Sequence, residues 1–153
     1  MSAETSGGPA AAGLARTFQR FQSADRQTRL EMLLDYSRKL PPLPARYQEA
    51  RDLGLNMVPE CQSPVFVWVE LENGKIRLHA DAPPEAPTVR GFVSLLAKAL
   101  ENETPEDVTR IPGDLLDRLG LSEALGMTRM QGLTAIVERV KRMAREVRTR
   151  TED

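Results

Sequence analysis

From Val65 to Ala80 the side chains read with a period of two; elsewhere apolar positions recur every three or four residues. Val65, Val67, Val69 and Leu71 point to one face of a strand, with Phe66, Trp68 and Glu70 on the other. Asn73-Gly74 signals a hairpin turn, since both residues tolerate positive φ. Ile76, Leu78 and Ala80 then alternate with Lys75, Arg77 and His79, as in a half-covered strand. Met57-Val58 adds a short third strand, so the expected sheet is a small three-stranded antiparallel meander. Phe66 and Trp68 imply either that one end of the sheet is covered on both sides or that an apolar patch faces a partner.

The helical stretches have their own punctuation. Leu14, Phe18 and Phe21 share one face of a first helix. Asp25 suits the N-cap of a second, whose stripe is Leu30, Leu33, Leu34 and Ser37, with Arg26, Arg29 and Arg38 outward. Leu40-Pro41-Pro42-Leu43-Pro44 ends it, and Pro44 opens a short helix that stops at Gly54. After the stiff connector of residues 82–87, Val89, Phe92, Val93, Leu96, Ala99 and Leu100 mark a central helix. Thr104 with Pro105 starts another. Leu115 to Leu119 forms one more, with Leu121 folding back onto Leu116 in a Schellman turn at Gly120. Thr128 and Gln131 have capping-box spacing for a last helix striped by Leu133, Ile136 or Val137, Val140, Ala144 and Val147.

Helices flanking a small antiparallel sheet make an α+β fold. At 153 residues the chain suits a single domain. Residues 1–13, rich in Ala, Gly and Ser, are expected to be disordered, residues 14–148 to fold, and 149–153 to fray. The 21 basic and 22 acidic side chains leave no footprint for nucleic acid or an anionic membrane. No apolar run could span a bilayer, and residues 1–13 lack the pattern of a secretory signal. The single cysteine cannot form an internal disulfide and suits a reducing compartment, so cytoplasm is the expected location.

That cysteine, Cys61, lies between Pro59 and Pro64, ahead of the first long strand. Neither proline fits a paired central strand, so Glu60 to Ser63 read as a loop between two extended segments. A thiol at a loop tip is suited to sulfur chemistry, while a buried free cysteine also serves as a small hydrophobe. The inventory excludes several sites. One Cys and one His cannot build a structural zinc or cluster site. His79 alternates with Leu78 and Ala80 and reads as an outward strand residue, not the base of a thiol protease. Lys39, Lys75, Lys98 and Lys141 lie on polar faces, and no glycine-rich phosphate loop is present.

Glu60-Cys61-Gln62-Ser63-Pro64-Val65-Phe66, then Arg90-Gly91-Phe92, then Arg129-Met130-Gln131-Gly132-Leu133 resemble the SufE family over residues 18 to 143. The resemblance implies a compact SufE-like α+β fold. It further implies a sulfur acceptor that takes persulfide sulfur from a cysteine desulfurase onto Cys61. The sulfur would pass to an iron–sulfur cluster scaffold, and the desulfurase would be stimulated. Cys61 would be the reacting residue, supported by Gln62, Ser63, Arg129 and Gly132. Where many members carry an Asp-Ser-Asp turn, this chain has Asp81 followed by the proline-rich connector, so only Asp81 carries over. No cofactor or metal is implied here, because the pyridoxal phosphate belongs to the desulfurase. Such a chain is a sulfurtransferase-type accessory protein rather than an independent enzyme. Two rivals are a non-catalytic interaction module and a redox-sensing thiol protein. Glu60 offers a thiolate no help, so Cys61 is expected to turn inward, sheltered by Val58, Pro59, Pro64 and Val65.

Overall fold

The computed structural model describes residues 12–152. Most of the segment expected to be disordered, residues 1–11, lies outside the described residues, and helix already runs from Ala12. In chain order come helices α1 (Ala12–Gln22), α2 (Arg26–Arg38) and α3 (Ala45–Asp52), then strands β1 (Phe66–Glu72) and β2 (Lys75–Asp81). Helices α4 (Pro87–Leu100), α5 (Pro105–Thr109), α6 (Leu115–Arg118) and α7 (Met127–Glu152) follow. The last helix thus continues through residues 149–152, where fraying was expected. No helix among the described residues is long and apolar enough to cross a membrane.

The hairpin pairs in the register its alternation demands: Val67 with Ala80, Val69 with Leu78, Leu71 with Ile76. These residues face the main core, against α4 and α7. Asn73 and Gly74 both take positive φ, 55° and 78°, as a tight two-residue turn requires. The sheet has two strands, not three. Met57 makes one isolated bridge to Phe66, flanked by the Val58 amide on the Val65 carbonyl and the Val67 amide on the Asn56 carbonyl, and the Asn56 side chain adds a bond to the Val67 carbonyl, but no longer ladder forms. Asn56, at φ 64°, turns the chain into the left-handed region before this segment, and Pro59 removes a donor after it. Two residues are too few for a strand.

The second face of the sheet is covered, which decides between the two expectations for its aromatics. Phe66 and Trp68 are buried with Leu43, beneath Tyr47 and Ala50 of α3. Tyr47 stacks on Trp68 with ring centroids 4.7 Å apart. Its hydroxyl donates to Glu70, which Arg46 also grips through both carboxylate oxygens. His79 alternates with the core-facing Leu78 and Ala80 as expected and sits half-buried on this second face, with Nε2 3.1 Å from the same carboxylate.

α4 is the central helix, buried from Gly91 through Leu96. A Cβ on Gly91 would lie 2.0 Å from the Leu33 carbonyl oxygen, so α2 and α4 touch backbone to backbone there. Leu33 is buried at this contact, while Leu34, expected in the same stripe, is exposed. Asp25 and Thr104 cap as expected, accepting from the amides of Thr28 and Asp107. Both Schellman stops form: Leu55 N–H bonds Ala50 O after α3, and Leu121 N–H bonds Leu116 O after α6.

Two cations depart from the expected polar faces. Arg29 turns inward, donating to the carbonyls of Phe21 and Gly120 and so tying the ends of α1 and α6 together. Lys141 reaches the Ile111 carbonyl at 2.8 Å. Long side chains cover apolar surface while their heads bond carbonyls at the ends of neighbouring helices.

Candidate functional site

The loop before β1 sets the position of the thiol. Pro59 takes the second position of a turn closed by the Cys61 amide on the Val58 carbonyl, 3.2 Å. Val58 and Val65 anchor both arms of the loop in the core, at 1% and 0% exposure. Pro59 and Pro64, expected to shelter the sulfur, are exposed instead. The shelter comes from α7. Cys61 is half-buried and packs on the main core, with Sγ 3.5 Å from the Gly132 carbonyl oxygen. Burial, and then the adjacent Glu60 carboxylate, push the thiol up to about 11.

Gly132 makes the close approach possible. A Cβ there would stand 3.4 Å from Sγ and 3.6 Å from the Cys61 Cα, at ordinary contact distance, so larger side chains would meet the loop. Of the residues predicted for the site, the structure brings Cys61 and Gly132 together.

Arg129 precedes Gly132 by three residues and therefore shares its side of α7, one turn nearer the helix start. It is exposed and makes no hydrogen bond or ion pair among the described residues. Thr128 is not the N-cap: α7 begins at Met127, and the Met130 amide bonds the Gly126 carbonyl at 3.0 Å. Leu125 is buried just before, which fixes the chain's approach two residues earlier than the capping-box spacing suggests. Arg129 is thus the third helical residue, still a cation in the positive first turn.

Gln62 is exposed and Ser63 half-exposed, and neither side chain makes a hydrogen bond among the described residues. Asp81 ends β2 opposite Phe66 and is held in ion pairs, 3.0 Å from Arg51 and 3.5 Å from Arg90. It braces the end of the sheet from which the loop emerges. Arg90 also donates to the carbonyls of Ser37 and Ala82, joining α2 to the β2 end. Among the described residues no group of three or more His, Cys, Asp or Glu side chains could hold a metal ion.

Sequence reasoning missed two features around the thiol. Arg139 donates from Nη2 to the Met57 carbonyl at 2.7 Å, holding the start of the loop against α7. It lies seven residues after Gly132, on the same helix face, a spacing that could have drawn attention to it. The other is exposed apolar surface: Leu53, Leu55 and Met57 on the approach to the loop, and Met127 at the start of α7.

Comparisons with known proteins agree on one family. The SufE family, described as an Fe-S metabolism associated domain, matches residues 15–144. An uncharacterised SufE-like protein of Mycobacterium tuberculosis is 38% identical over 136 residues, covering 88% of this chain and 93% of that one. The sulfur acceptor protein CsdE of Escherichia coli is 30% identical over 124 residues, covering 79% of this chain and 80% of CsdE. A hypothetical protein from Thermus thermophilus, solved in solution, superposes with a TM-score of 0.80 at 36% identity, covering 91% of this chain and 98% of that one.

Proposed function

This chain belongs to the SufE family, and on that premise we propose that it accepts sulfane sulfur on Cys61 from a cysteine desulfurase. The observation that carries the reading is the state of Cys61: the only cysteine, at a loop tip, held neutral under α7 against Gly132. In the reaction the Cys61 thiolate attacks the outer sulfur of the desulfurase's cysteine persulfide. That S–S bond breaks, the desulfurase sulfur leaves as thiolate, and Cys61 becomes the persulfide. The proton lost by Cys61 is matched by the one the leaving thiolate takes up, with no net oxidation.

At neutral pH a thiol titrating near 11 is ionised in only roughly one molecule in ten thousand. The free protein is therefore a poor nucleophile, and docking supplies the activation. Lifting the loop from Gly132 removes the desolvation that raises the pKa. Arg129, one turn away and unpaired among the described residues, is placed to meet the exposed thiolate or the partner. Leu53, Leu55, Met57 and Met127 supply apolar contact surface for the desulfurase. The sulfur then passes to an iron–sulfur cluster scaffold.

A redox-sensing thiol needs the opposite properties, low pKa and open access. An interaction module built on Phe66 and Trp68 is disfavoured because α3 covers both. Mass spectrometry after incubation with a cysteine desulfurase and cysteine tests the proposal. A one-sulfur mass gain on the Cys61 peptide is expected, and Cys61→Ser should abolish stimulation of desulfurase turnover. A well-folded chain that stays unmodified beside a persulfide-loaded desulfurase would overturn the reading.

A further inference from the structure

A cleft of about 800 Å³ lies between α1, α2, β2 and α4, and none of the residues lining it belongs to the Cys61 loop or to α7. We propose that this cleft binds a small amphipathic anion, a ring-bearing apolar body carrying one acidic group.

Charge is the first argument. Arg16, Arg20, Lys39, Arg77 and Lys98 line the cleft against only two carboxylates, Asp35 and Glu101. The chain as a whole carries a net charge of −1, so this excess of cations is local. The pairs are Asp35 with Lys39 at 2.8 Å and Glu101 with Arg77 at 3.7 Å and Lys98 at 3.9 Å, with Arg77 also on Glu72 at 2.7 Å, which leaves Arg16 and Arg20 outside any ion pair among the described residues. Arg16 makes no hydrogen bond or ion pair among the described residues. Low-dielectric walls behind such a rim focus its positive potential into the concavity.

The walls are the second argument. Met32, Tyr36, Pro41, Pro42 and Leu78 supply the apolar and aromatic part of the lining. Arg20 already lies over the Tyr36 ring, 5.8 Å from its centroid. A concavity of this volume that joins apolar wall to convergent polar groups is large enough for a small molecule.

Ser94 is the third and points to a ligand by itself. Two buried polar side chains stand out among the described residues, Thr17 and Ser94, and both line the cleft. Thr17 bonds back to the Gly13 carbonyl at 2.9 Å. The Ser94 side chain, in a residue 5% exposed, has no hydrogen-bond partner for its hydroxyl among the described residues. A buried hydroxyl without a partner is destabilising unless something in the adjacent space satisfies it. An acidic oxygen of the ligand meets that need, with the cationic rim holding its charge.

The test uses 8-anilinonaphthalene-1-sulfonate as the amphipathic anion, titrated into the full chain and followed by fluorescence. One saturable site per chain is expected. Arg16→Glu with Lys98→Glu, both exposed positions, should weaken it about tenfold or more, because two attractive charges become repulsive. Arg110→Glu with Arg142→Glu changes net charge equally but lies outside the cleft, and should leave the affinity within about twofold. The uncharged N-phenyl-1-naphthylamine should bind at least about tenfold more weakly than the sulfonate. No saturable site, equal affinity in the two double variants, or equal affinity for the uncharged probe would each overturn the proposal.

Discussion

The Cys61 sulfur rests 3.5 Å from the Gly132 carbonyl oxygen, across 71 residues of chain. A thiol is a weak donor, so this contact adds little energy by itself. Its effect is to seat the sulfur against α7 with no cation among the described residues bonded to it. Burial without a compensating charge explains why the pKa rises instead of falling.

The pH dependence follows. Cys61 moves from 9.0 to about 11 in the folded chain, so iodoacetamide alkylation should rise with a midpoint near 11. At neutral pH it should be about a hundredfold slower than for a free thiol. Because the folded pKa is the higher one, the associated stability is whole below about pH 9 and lost as pH rises through about 11. An alkylation midpoint near 9 would contradict the sheltered position.

Gly132 offers a steric test. Ala fits at ordinary contact distance, and its better helix propensity should leave stability equal or raised by about 0.5–1 kcal/mol. Gly132→Val has branches that the loop cannot accommodate in place, so it should lift Cys61 off α7 and speed alkylation at neutral pH. Thermal unfolding and alkylation rates measured together check this. Equally slow alkylation in a folded Val variant would mean that Gly132 does not shelter the sulfur.

Much of this architecture was legible because its signals are local. Alternation from Val65, the Asn73-Gly74 turn and the Gly54 and Gly120 stops each depend on neighbours within a few residues, and each formed. The failures come from longer-range packing or from a competing residue nearby. Asn56 cut the third strand to a single bridge, and buried Leu125 moved the start of α7 ahead of Thr128. Arg29 turned inward to reach the Gly120 carbonyl, 91 residues away. At the site, loop composition singled out Cys61, but no local pattern places Gly132 against it or Arg139 on Met57. Those contacts exist only once α7 lies along the loop.

Arg129→Ala should fold normally, with stability changed by no more than about 0.5 kcal/mol, since an exposed, unpartnered side chain is removed. Sulfur acceptance from a desulfurase should nevertheless fall. Unchanged transfer kinetics in this variant would remove Arg129 from the proposed site.

Glu70 governs acid stability on the other face of the sheet. The Arg46 hydrogen bonds, opposed by partial burial and aided by Tyr47 and His79, hold its carboxyl at about 2 instead of 4.5. A lowered folded pKa means the contribution is whole above about pH 4.5 and lost as pH falls through about 2. Glu70→Gln should cost about 1 kcal/mol at pH 7, less than full linkage implies, because solvent screens the pair. Urea unfolding at pH 7 and pH 3 should show a smaller pH effect in the variant than in the native chain.

The last prediction concerns Arg139. The segment from Met57 to Cys61 is held on α7 at two points, Arg139 on the Met57 carbonyl and Gly132 under the sulfur. Seven residues separate them, about 10.5 Å along the helix axis, so the segment lies along α7 rather than crossing it. Just before it, Asn56 is pinned to β1, its carbonyl and side-chain amide both bonded to Val67, so Arg139 fastens the segment on the α7 side only. The Arg139 bond is exposed, which puts its net worth at about 0.5–1.5 kcal/mol, or opening about two- to tenfold more frequent when it is lost. Arg139→Ala should therefore speed Cys61 alkylation by about that factor while global stability, measured by urea unfolding, changes little. Arg139→Lys should recover part of the protection, because an ammonium can still reach the carbonyl. If alkylation in the alanine variant rises only in step with global unfolding, Arg139 supports the fold and does not hold the loop.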